Sequence, residues 1–188
     1  MGKSAAGVLA LGAAVFCIEE GKVTLTNKNE RLEKHGEEDV LACDLEFCWP
    51  TDNGMLACFH PALKFALYEK SPAQGELIED SGHLTHLRFP YLNAASFKWG
   101  TGELVGAAVL FHAPTKKGEL ELADVKVNNF RLGLKEGGTV DIHFRVQMSP
   151  LDAKLSGRLS ELYAQKDCII SVTPAGAQED AGEADRKS

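Results

Sequence analysis

Residues 119–148 read ELELADVKVNNFRLGLKEGGTVDIHFRVQM. Two alternating runs are joined by Lys135-Glu136-Gly137-Gly138. Strand side chains alternate between faces with a period of two, so Phe130, Leu132 and Leu134 share one face. Val140, Ile142, Phe144, Val146 and Met148 share another. Setting apolar against apolar pairs Phe130 with Phe144, Leu132 with Ile142 and Leu134 with Val140. A slip of one residue turns a whole apolar set to water, so this register is strongly favoured. It leaves Glu136, Gly137 and Gly138 as a three-residue loop, where glycine takes the left-handed position of a bulged turn.

The opposite face of this hairpin carries Asn129, Arg131 and Lys135 on one strand and Asp141, His143, Arg145 and Gln147 on the other. The register sets Arg131 across from His143 and Asn129 across from Arg145. Such a face is either an ordinary solvated surface or a basic patch for a phosphate backbone or an acidic partner.

Outward from the hairpin, the pattern stays β-rich. Val40–Trp49 alternates Leu41, Cys43, Leu45, Phe47 and Trp49 against Ala42, Asp44, Glu46 and Cys48, a strand with one buried face. Pro50–Gly54 closes it with an Asn53-Gly54 turn signal. Leu87–Leu110 holds two further strands, the later one near Leu104–Phe111, and Gly100–Gly102 makes a turn. Arg88, Phe89, Tyr91, Phe97, Lys98 and Trp99 interleave basic and aromatic side chains. Single-strand binders use that mixture to stack bases and follow phosphates. The competing reading makes Phe89, Phe97 and Trp99 core residues.

Pro61 opens a helix over 61–70. After Met148 the period becomes helical: Ser149 is the expected N-cap, Pro150 the first helical position, and Leu151, Leu155, Leu159 and Leu162 form one stripe to about Lys166. Cys168–Val172 is a closing strand. Asn27–Asp39 is polar throughout and reads as a loop or a short exposed helix, with a turn at His35-Gly36. Ser71–Gly82 reads as a mobile connector. Residues 175–188 lack apolar periodicity and read as a disordered acidic tail.

At the start, the apolar run Ala5–Ile18 imitates an export signal but is too short to span a bilayer as a helix and has a poor cleavage site. Ala6 stands where a myristoylation signal needs Ser or Thr. The favoured reading is a first hairpin, AVFCIE and KVTLTN around Glu20-Gly21, with an export signal over 1–18 as the alternative.

The chain of 188 residues, with 44% hydrophobic and 25% charged residues, suits one domain, placed at 1–174. Its net charge of −7 argues against a generally basic coat but leaves room for a local basic groove. The five cysteines are odd in number and show no CxxC spacing, which points to a reducing, cytoplasmic setting without disulfides. Cys17, Cys43 and Cys168 fall in expected strands. The pair His83 and His86 points to opposite faces of a strand, so no metal site and no cofactor is expected. No GxSxG, HExxH, GxxxxGK[ST] or GxGxxG motif occurs, which weighs against an enzyme.

The segments HGEEDVLACDLEF (35–47), FHPALKFALYEK (59–70), LELADVKVNNFRLGLKEGGTVDIHFRVQ (120–147) and CIISVTP (168–174) resemble a group of small phage and prophage proteins found near recombination and single-strand-annealing genes. The resemblance covers about residues 22–174 and transfers no functional residues. It implies a cytoplasmic, phage-derived context and a role near DNA intermediates.

Two functional expectations follow. One is a non-catalytic binding module for single-stranded DNA, resting on Arg131, His143, Arg145, Lys135 and Asn129, with Arg88, Lys98 and Trp99 as phosphate and stacking contacts. The other is an adaptor or inhibitor that contacts a recombination or host protein, with no membrane involved. The expected fold is β-rich α+β: about eight strands in antiparallel sheets, as a sandwich or partly open barrel, with two helices.

Overall fold

A computed structural model describes residues 15–70 and 84–176. Among them are nine strands: β1 (Ile18–His35), β2 (Glu38–Asp52), β3 (Tyr68–Glu69), β4 (His86–Leu87), β5 (Ser96–Lys98), β6 (Leu104–Phe111), β7 (Leu120–Leu134), β8 (Thr139–Met148) and β9 (Asp167–Thr173). Two α-helices, α1 (Leu63–Leu67) and α2 (Ala153–Gln165), accompany them. No described helix is long and apolar enough to cross a membrane.

Six strands close an antiparallel barrel. The order runs β7-β6-β9-β1-β2-β8, and β8 pairs back with β7. β5 extends one edge of β7 beyond the end of β6. β3 and β4 form a separate small ladder. The β-rich antiparallel expectation therefore resolves as a barrel. Closure removes the exposed backbone edges that an open sheet must protect.

The interior is one continuous apolar cluster. Leu45 and Phe47 of β2, Ile142 and Phe144 of β8, and Phe130 and Leu132 of β7 are all buried. Toward the Trp49 end Phe16 is fully buried, with ring centroids 5.0 Å from Phe130 and 5.6 Å from Phe144. At the other end Leu151 donates its N–H to the Leu41 carbonyl, and α2 buries Leu159. The α2 N-cap is Asp152, whose carboxylate accepts from the Leu155 N–H at 2.7 Å. Ser149 and Pro150 therefore precede the helix rather than begin it.

The hairpin register matches the expected pairs Leu132–Ile142, Leu134–Val140 and Arg131–His143. One detail differs. Asn129 takes φ +56° in a bulge, so Asn128 rather than Asn129 stands opposite Arg145. Asparagine tolerates the left-handed region better than most residues, which suits it to that position. The bulge absorbs the extra residue and leaves Phe130 pointing inward beside Phe144.

The expected first hairpin is overturned. Ile18–His35 is a single strand, because β9 offers Ile170 and Val172 as partners and the chain runs straight on. Glu20, at φ +47°, is a bulge residue whose N–H donates to Ser171 Oγ. Cys17 is exposed just ahead of this strand rather than within it. Asn27–Asp39 is likewise neither loop nor helix. Its residues pair with β2 from Asn27↔Glu46 to His35↔Glu38 as a two-stranded arm, turning at Gly36. The helix expected over 61–70 shortens to Leu63–Leu67, since Tyr68 leaves it to bury its ring and bond the Lys135 and Thr139 carbonyls. Residues 1–14 of the export-signal reading, the connector Ser71–Gly82, His83 of the histidine pair, and residues 177–188 of the tail lie outside the described residues.

Candidate basic face and its neighbours

The outer wall formed by β2, β8, β7 and β5 carries the polar side chains in cross-strand rows. One row runs Cys48–His143–Arg131–Lys98. The next runs Glu46–Arg145–Asn128, and the one beyond it Asp44–Gln147–Lys126. On the other side of the first row lie Pro50–Asp141–Gly133. Each row follows from alternation: Leu132, Ile142 and Phe144 point inward, so their neighbours point out.

Charge is distributed unevenly over this wall. Asp44 is only 9% exposed and gathers three donors. Arg31 pairs with it, Gln147 Nε2 donates to it at 3.0 Å, and Arg145 Nη1 lies 3.8 Å away. Arg145 Nε also donates to Asn128 Oδ1 at 3.1 Å. Lys135 Nζ lies 2.7 Å from Asp141 Oδ2. Two of the expected cations, Arg145 and Lys135, are therefore already matched by carboxylates.

Arg131 and Lys98 are different. Both are exposed, they sit directly across from each other, and among the described residues neither has an ion-pair or side-chain hydrogen-bond partner. Asn129, Arg131, His143, Glu46 and Thr26 line a concavity of about 100 Å³ beside this row. The structure thus brings Arg131, His143, Lys98 and Asn129 together. It places Arg88 elsewhere, on the small β3–β4 ladder, where Arg88 Nε donates to the Phe65 carbonyl and Nη1 meets Glu69. Trp99, expected to stack on a ligand, instead packs edge-on against Phe59 at 5.9 Å as part of the core's margin. Around the β3–β4 ladder Phe65, Phe89 and Tyr91 are the exposed aromatic rings.

A larger cavity of about 420 Å³ opens at the base of the arm, among Arg31, Glu33, Gly106, Asp124, Lys126 and Ser149. Its cations are tied up: Arg31 meets Glu33 and Asp44, and Lys126 meets Glu103 at 3.4 Å. It offers an anion less than the Arg131 row does.

Cys48, Asp141 and His143 were not grouped by sequence reasoning. Cys48 Sγ lies 3.8 Å from His143 Nε2, with the Asp141 carboxylate close by. This is not the arrangement of an activated thiol. Burial pushes the Cys48 thiol up, Asp141 pushes it further, and only Lys135 opposes them, whereas a nucleophilic cysteine needs a lowered value. The Asp141 carboxylate is also engaged by Lys135. The signal available in the sequence was the outward parity of Cys48 on β2 and of Asp141 and His143 on β8. It lacked the pairing of β2 with β8.

Compared with protein-family models, with curated proteins and with solved structures, the chain matches none of them.

Proposed function

We propose that the protein is a non-catalytic binding module that carries single-stranded DNA on the outer barrel wall made by β5, β7 and β8. The observation that carries this reading is the row Lys98–Arg131–His143, in which two cations face each other across strands and neither has an ion-pair partner among the described residues. Like charges directly opposite in a sheet cost stability, on the order of a few tenths of a kcal/mol. A phosphate seated between them turns that cost into attraction. The resemblance to phage and prophage proteins supplies the setting: a cytoplasmic accessory to recombination.

The test is fluorescence anisotropy of a labelled single-stranded oligonucleotide, titrated at low salt and repeated as salt rises. Binding that weakens steeply with salt, and weakens again in Arg131→Ala, is expected. Absent or salt-independent binding overturns the reading.

A second reading, an adaptor or inhibitor of a host protein, is favoured by another observation. Phe65, Phe89 and Tyr91 are 56%, 58% and 98% exposed around the small β3–β4 ladder. Co-purification of one stoichiometric protein partner, lost on Phe89→Ser with Tyr91→Ser, distinguishes it.

A further inference from the structure

Three side chains with metal-binding chemistry converge on the outer wall where β2 meets β8. Cys48 is the cross-strand partner of His143, and Asp141 lies two residues away on the same face of β8. One ligand atom from each lies within 4.8 Å of the other two. All three residues are half-buried, and ladders to β1 and β7 hold their strands on either side.

The 3.8 Å between Cys48 Sγ and His143 Nε2 is long for a hydrogen bond. It is close to the roughly 3.5 Å that tetrahedral geometry sets between a sulfur about 2.3 Å and a nitrogen about 2.0 Å from one zinc ion. A thiolate, an imidazole and a carboxylate form a set that suits zinc better than magnesium or calcium, which take oxygen donors. Lys135 Nζ lies 2.8 and 2.7 Å from the two Asp141 oxygens. It holds both oxygens and so competes with a metal for Asp141, which must give up one of them to ligate.

We infer that Cys48, Asp141 and His143 form a zinc site with three protein ligands and an open fourth position. On binding, the Cys48 S–H bond breaks, a sulfur–zinc bond forms and one proton leaves to solvent. The site shares His143 with the oligonucleotide face, but cobalt absorbance reads it with no DNA present, so the two readings fail separately.

The experiment is a titration of the chelator-treated full chain with cobalt(II) alone, read by absorbance, followed by displacement with zinc. One equivalent of cobalt is expected to give a thiolate charge-transfer band and the visible bands of a tetrahedral ion, and zinc is expected to abolish them. Cys48→Ser should remove the charge-transfer band. His143→Gln should weaken binding by more than the roughly 10- to 100-fold that losing a ligand's supporting partner costs. Cys17→Ser should leave the spectrum intact, which excludes the exposed thiol as its source. Lys135→Ala should tighten binding, because it frees Asp141 and removes a nearby cation; a merely structural role for the cluster does not predict that gain. Circular dichroism shows which variants fold, and if Cys48→Ser or His143→Gln does not, Lys135→Ala and Asp141→Asn carry the test. A cobalt spectrum that survives Cys48→Ser, disappears in Cys17→Ser, or never forms with the folded wild-type chain overturns the proposal.

Discussion

The guanidinium of Arg145 lies 3.8 Å from the carboxylate of Asp44, which is itself only 9% exposed on the barrel's outer wall. Arg31 and Gln147 converge on the same carboxylate. Replacing Asp44 by Asn leaves Arg145 without its counter-charge and Arg31 with Glu33 alone. Urea unfolding should show a loss of about 1–3 kcal/mol, smaller than for a fully buried pair because both arginines are partly exposed. The same change releases Arg145, so oligonucleotide affinity should rise while stability falls.

Arg131→Ala should behave in the opposite way. Arg131 is exposed and makes no described ion pair, so stability should stay within about 0.5 kcal/mol. If Arg131 contacts one phosphate, the slope of log affinity against log salt should become shallower by about 0.7. The double variant with Lys98→Ala should lose about twice that slope. Anisotropy titrations at several salt concentrations measure both.

Phe16→Ala tests the end of the barrel. The ring is fully buried and meets Trp49, Phe59, Phe130 and Phe144. Its removal should cost about 3–5 kcal/mol in chemical denaturation, the range for emptying a large aromatic site.

Gly137 and Gly138 are adjacent, both with positive φ, yet should respond differently to alanine. A Cβ on Gly137 meets nothing within 4 Å, so the cost is the backbone term of about 1–2 kcal/mol. A Cβ on Gly138 comes within 3.1 Å of Thr85 Cγ2 and 3.4 Å of the Thr85 Cα. It also disturbs the loop that receives the Asn53 N–H on the Gly138 carbonyl. Gly138→Ala should lower the urea midpoint further, by the equivalent of about 1 kcal/mol or more.

Burial pushes the thiols of Cys43 and Cys168 up to about 11, above an ordinary value of 9.0. The unfolded chain ionises first, so the thiols' contribution to stability is complete below pH 9 and declines as pH rises toward 11. Thermal melts across that window should show a fall that is shallower in Cys43→Ala with Cys168→Ala. That variant starts less stable at about pH 8, because a buried side chain has been trimmed.

The β7–β8 hairpin was legible because its apolar residues alternate unbroken from Phe130 to Leu134 and from Val140 to Met148, and glycines mark its turn. β6 and β9 were legible as short apolar runs bounded by turn signals. The arm was not. Asn27–Asp39 leaves the barrel, buries neither face, and so shows no alternation; its strand pairing rests on backbone ladders that side-chain pattern does not encode. The bulges at Glu20 and Asn129 were hidden as well, each being one residue of unusual backbone in an otherwise regular run. At the candidate face, parity placed Arg131, His143 and Arg145 outward. Which cations were already neutralised depended on Asp44 and Asp141, and those partnerships come from the order of strands around the barrel. The same order joins Cys48 to His143 across 95 positions of chain.

The last described strand, β9, seats itself between β6 and β1. During synthesis the ribosome must therefore release residue 173 before the ring can be completed. Until then β1 and β6 each present an unpaired backbone edge to the surrounding cell. A nascent chain of this design has a window in which another strand can take the place reserved for β9. Slower elongation through α2 lengthens that window, and a chaperone that shields strand edges shortens the risk within it.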